Sequence, residues 1–147
     1  MSVVCYRCPT SGEEVTTAIE TGKDTLVKMR AMDLTIWVWC PHCMAMMPQE
    51  RSLLKRYEGK PFALVGVNSD ARGDKLDKAI KKQAITWRNF WDGGNSQGPI
   101  ATRWNVQGWP AVYVLDDQGV IRFKHVRDEV LDHVVDVLMK ERTRKTP

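Results

Sequence analysis

From residue 34 onward, short apolar runs alternate with stretches in which apolar residues recur every three or four positions, the pattern of strands interleaved with helices. The run 34–39 is dense in β-formers (Thr35, Ile36, Trp37, Val38) and predicts a strand. Pro41 suits the first turn of a helix that should carry Met44, Met47, Leu53, Leu54 and Tyr57, kink at Pro48 and stop at Gly59-Lys60-Pro61. A buried strand is expected over 62–67, then a charged helix over 74–85 with Leu76, Ala79, Ile80 and Ala84 inward, then a strand over 86–91. Glycines and prolines in 92–99 mark a loop, followed by a short helix over 100–106. Strands at 111–115 and 120–125 flank Asp116-Asp117-Gln118-Gly119, the turn chemistry of an antiparallel hairpin. A last helix over 128–142 places Val130, Leu131, Val134, Val135, Leu138 and Met139 on one face. The sum is an α/β fold with a central mixed sheet flanked by helices.

Residues 1–33 read differently. Cys5 to Gly12 suggests a turn or knuckle and 15–20 a β-rich stretch, so the segment is expected to form an N-terminal CxxC extension, hairpin or ribbon-like, ahead of a domain over 34–147. At 147 residues, 43% hydrophobic and 27% charged, the chain has the balance of a globular domain with enough mass for a core of its own. No apolar run is long enough to cross a bilayer, and the opening residues lack the apolar core of a signal peptide. As written the chain is expected to be cytoplasmic, or exported if a signal was removed, and a monomer without membrane partners. The net charge of +4 gathers only in the basic tail 140–145, which a solvated helix end explains; nucleic acid is not an expected partner.

The four cysteines form two CxxC pairs, Cys5/Cys8 and Cys40/Cys43. Disulfide exchange needs a stabilised thiolate, a second thiol to resolve the mixed disulfide, and exposure of the first sulfur only. A strand leading into Cys40-Pro41-His42-Cys43 at a helix start meets all three needs. The free backbone N–H groups and positive dipole end face Cys40, while Cys43 lies one turn in. Cys40 is thus the candidate nucleophile and Cys43 the resolving thiol. Pro41 and His42 tune the site, His42 by adding positive charge or a hydrogen bond beside the thiolate.

Trp39-Cys40-x-x-Cys43 after a strand, Pro48 five residues beyond the second cysteine, and Gly108-Trp109-Pro110 just before the 111–115 strand together resemble the thioredoxin superfamily. Over 34–141 the chain is most similar to its redoxin branch of TlpA-like and ResA-like thiol-disulfide oxidoreductases; 66–70 and 101–106 carry the same likeness. The resemblance implies a thioredoxin-like fold, no cofactor, and substrates that are cysteine-containing proteins or small thiols. It also implies a cis Pro110 facing the CxxC motif and, with Trp39 and Trp109, forming a substrate-docking rim; simple packing explains the two tryptophans equally well. Two departures stand out. The buried acid that thioredoxins carry six residues before the first cysteine is Leu34 here, with Asp33 expected on the opposite face. The Glu that ResA-like proteins place near the end of the second strand is matched only by Asn68 and Asp70.

Two CxxC pairs separated by 31 residues also describe a four-thiolate zinc site of Cys5, Cys8, Cys40 and Cys43, and residues 1–47 resemble small bacterial zinc-ribbon-like proteins. In that alternative Zn is structural and Cys40 is no longer a nucleophile. Against it, about a hundred downstream residues can build a core without metal, and Met44-Ala45-Met46-Met47 continues as a helix where a knuckle usually has glycine. A relay in which Cys5/Cys8 is a second redox pair remains open. A thiol peroxidase is excluded, because its Pro-x-x-x-Thr-x-x-Cys pattern would need proline and threonine where Asp33 and Trp37 stand.

Overall fold

The computed structural model describes residues 2–7, 14–21, 31–37 and 40–141, with side chains described at 35–37 and 40–141. Strands β1 (Ser2–Arg7) and β2 (Glu14–Thr21) pair antiparallel as a separate hairpin, so Cys5 lies within a strand. Its side chain, Cys8 and the expected knuckle lie outside the described residues, as do the side chains of Asp33 and Leu34 and the tail beyond Glu141.

The main sheet is built from β3 (Ala31–Trp37), β4 (Phe62–Asn68), β5 (Arg88–Trp91), β6 (Ala111–Asp116) and β7 (Ile121–Lys124) in the order β5-β4-β3-β6-β7. β3, β4 and β5 run parallel and β6 and β7 antiparallel to their neighbours, which makes the sheet mixed as expected. β3 begins at Ala31, three residues ahead of the apolar run that marks it in the sequence. Alternate positions serve opposite faces. Ile36, Val67, Ala111, Tyr113 and Leu115 pack on one side with Ile100 and Trp104. Trp37, Leu64, Val112 and Val114 face the other, beneath the helices α1 (Pro41–Arg56) and α4 (Asp128–Glu141). Burial on both faces is why these strands read as nearly unbroken apolar runs.

α1 starts at Pro41, whose missing N–H costs nothing in a first turn, and Pro48 sits inside the helix without ending it. The helix α2 (Asp74–Lys82) is shorter than expected. Leu76 and Ala79 are buried, but Ala84 is exposed at φ 47, beyond the helix end. Val130 is a second correction: it is 56% exposed, because it lies at the margin of the apolar stripe whose centre, Leu131, Val134, Val135 and Leu138, is buried. The short helix is α3 (Pro99–Arg103), with β2 of the N-terminal hairpin beside it. Among the described residues no helix is long and apolar enough to cross a membrane.

Candidate active site

The chain leaves β3 at Trp37, in the centre of the sheet, and enters α1 at Cys40. Cys40 is the N-cap residue, extended at φ −133 and ψ 159, and its carbonyl accepts the first helical bond from the Met44 N–H at 2.9 Å. Its sulfur takes the place of the usual cap oxygen: the Cys43 N–H donates to Cys40 Sγ at 3.4 Å. A sulfur held there faces the free N–H groups at the positive end of the helix. The two sulfurs lie 3.2 Å apart as free thiols. Cys40 is half-buried, Pro41 and His42 are exposed, and Cys43 is only 1% exposed, so one sulfur of the pair is offered to a partner while the other waits behind it.

Cys43 packs with Met47, Leu64 and Trp37. The Trp37 indole N–H donates to Asn89 Oδ1 at 3.1 Å, over Gly66 of β4. A Cβ on Gly66 would stand 2.0 Å from that oxygen, so only glycine leaves room for the bond that fixes this indole behind Cys43. The Trp109-Pro110 peptide is cis, Pro110 is buried, and Trp109 packs against the cluster that holds Cys43 and Cys40. Cys40, Cys43 and Trp109 thus belong to or border one apolar cluster, with Pro110 next in the chain, while Trp39 lies outside the described residues. Asp70, the candidate acid near the end of the second parallel strand, has its carboxylate bonded by the Asn68 amide at 2.8 Å.

Three supporting residues escape a sequence reading. Asp92 is fully buried at the end of β5; its carboxylate accepts the N–H groups of Ile100 at 2.6 Å and Ala101 at 2.8 Å, and the Ser69 hydroxyl at 3.4 Å. It thereby fixes the start of α3, and α3 leads into the segment that carries Trp109 and Pro110. Gly98 is obligatory beside it, since a Cβ there would meet the Asp92 carbonyl at 1.9 Å. Glu50, 1% exposed, lies on the buried face of α1 with Cys43 and Met47, where helical periodicity alone expects an apolar residue. Arg127 donates to the Pro110 carbonyl at 3.1 Å. Among the described residues no three His, Cys, Asp or Glu side chains gather into a metal site.

The Redoxin family model matches residues 2–138, reaching through the N-terminal hairpin. The chain is 32% identical over 117 residues to the thioredoxin-like protein YneN of Bacillus subtilis, covering 79% of this chain and 64% of that protein. It is 26% identical over 107 residues to the thiol:disulfide interchange protein DsbE of Escherichia coli K12, covering 71% and 54%. The chain thus spans between about half and two thirds of the length of these relatives. Among solved structures it resembles the thioredoxin domain of a thiol-disulfide oxidoreductase from Bacteroides vulgatus, with a TM-score of 0.72, 18% identity and coverage of 95% and 93%. A thiol-disulfide oxidoreductase from Bacteroides fragilis gives 0.71, 22%, 94% and 96%. These likenesses establish the thioredoxin-like fold. The zinc-ribbon resemblance of residues 1–47 finds no support in them.

Proposed function

The chain belongs to the Redoxin family, and from that premise we propose that it is a thiol-disulfide oxidoreductase whose Cys40 and Cys43 exchange disulfides with cysteine-containing proteins. One observation carries the reading: a half-buried sulfur capping a helix N-terminus, with a buried second thiol 3.2 Å behind it.

The chemistry follows from that placement. The Cys40 thiolate attacks one sulfur of a substrate disulfide, forming a Cys40-substrate bond and expelling the other substrate sulfur as a thiolate, which takes up a proton. Cys43 loses its proton and attacks Cys40 Sγ, closing the Cys40-Cys43 disulfide and releasing the second substrate thiolate. Two electrons pass from the CxxC pair to the substrate, and the same steps in reverse oxidise a substrate dithiol. His42, exposed on the first turn, adds a donor at the mouth; Pro41 sets the turn; Trp109 and Pro110 form the docking rim, a role the family resemblance extends to Trp39.

The test is the alkylation of Cys40 by iodoacetamide in reduced protein, with and without a zinc chelator. The exchange reading expects prompt modification at a rate the chelator leaves unchanged. Protection that ends only when chelator is added would replace it with the four-cysteine zinc module.

A further inference from the structure

We infer that Arg127 is a positioning residue for exchange: it holds the Pro110 rim in a fixed relation to the Cys40 helix, and so governs docking of protein substrates. The inference rests on the exchange reading above and names a residue outside the CxxC motif and its rim.

The β6-β7 ladder runs from Leu115 to Tyr113, opposite Lys124, and ends with the His125 N–H donating to the Val112 carbonyl at 2.8 Å. The next rung would join the Pro110 carbonyl to the backbone of Arg127. At His125, however, φ is 56, and the chain turns away to begin α4. The Arg127 side chain reaches back and supplies the lost rung, donating from its terminal nitrogen to the Pro110 oxygen at 3.1 Å. Its own backbone is anchored, since the Arg127 carbonyl accepts the Leu131 N–H at 3.2 Å. Among the described residues it forms no ion pair, so a carbonyl, and not a carboxylate, is what this guanidinium serves.

The same turn is tied to the catalytic helix. Gln49, on α1, donates from its side-chain amide to the Asp128 carbonyl and, at 3.4 Å, to Asp132 Oδ1. Cys40 caps α1, Gln49 links α1 to the 127–128 turn, and Arg127 links that turn to Pro110. The sulfur and the rim are thus joined by side-chain bonds outside the sheet. Arg127 is exposed, and its remaining N–H donors stay at the surface beside the rim.

The chemistry of Cys40 does not require this frame, but docking of a polypeptide against Pro110 does. The measurement is the steady-state reduction of insulin disulfides by wild type, Arg127→Ala and Arg127→Lys, with dithiothreitol as reductant, alongside alkylation of Cys40 by iodoacetamide. A Pro110 rim released from its tie to Arg127 docks substrate less well, and a rise in KM of about tenfold is expected in Arg127→Ala. kcat and the alkylation rate should stay within about twofold, because neither depends on the rim. Arg127→Lys, which keeps a charged donor group on a long stem, should recover most of the loss. An unchanged KM in Arg127→Ala overturns the assignment. So does a fall in alkylation rate that parallels the rise in KM, which would mark a general loosening of the site. A wild-type protein that shows no turnover would instead refute the exchange reading itself.

Discussion

Cys40→Ser is expected to lower thiol-disulfide exchange to the uncatalysed rate while leaving the fold intact. The sulfur is the only half-buried, N-capping nucleophile of the pair, and a serine hydroxyl does not attack disulfides at neutral pH. The fold should tolerate the change because serine is itself a strong N-cap: its oxygen can accept the Cys43 N–H that the sulfur accepts now. Thermal unfolding of Cys40→Ser should therefore stay within about 1 kcal/mol of wild type. Turnover of insulin disulfides that survives in this variant would remove Cys40 from the mechanism.

Asp92→Ala carries the largest expected loss of stability. The carboxylate is fully buried and serves two buried backbone N–H groups, those of Ile100 and Ala101. Removing it leaves both donors without a partner in a space that alanine does not fill. At about 1–3 kcal/mol for each buried group left unsatisfied, the loss is on the order of 4 kcal/mol. For a domain of this size the melting temperature should fall by about 10 °C or more. Asp92→Asn, which keeps one acceptor, should lose less. The damage should reach the site, since α3 leads into the Trp109-Pro110 segment. Circular dichroism melts settle the point: an Asp92→Ala protein that unfolds with wild type would mean that the α3 N-terminus is held by something else.

Much of this architecture is legible in the sequence because the signals are local. Pro41 opens α1 and Gly59-Lys60-Pro61 follows its end, and both lie next to the residues they punctuate. The β6-β7 turn is equally local: Asp116 Oδ1 accepts the N–H groups of Gln118 and Val120, and Gly119 takes φ 72. The CPHC motif at a strand-helix junction places both sulfurs by spacing alone. What the sequence hides is non-local. Val130 continues the apolar run of α4, yet it sits at the edge of the stripe that packs and only the tertiary contacts show where that stripe ends. Ala84 continues the period of α2, but the backbone has already left the helix. Asp92 sits among loop residues and reads as solvent-facing, although its partners are eight and nine residues away. Arg127 and Gln49 act through carbonyls that only the tertiary fold brings within reach. The second CxxC pair supported a metal reading from spacing, whereas the Redoxin match extends across it from residue 2.

Attack by Cys40 and resolution by Cys43 are read out in the mass of the Cys43→Ser protein after brief exposure to a disulfide-bonded substrate such as insulin. Without the buried thiol 3.2 Å behind it, the mixed disulfide on Cys40 has no internal route to release. One substrate chain per protein is expected, mapped by peptide mass to Cys40 and released by dithiothreitol. A protein that stays unmodified, or one that carries substrate on Cys5 or Cys8 with Cys40 free, would contradict it.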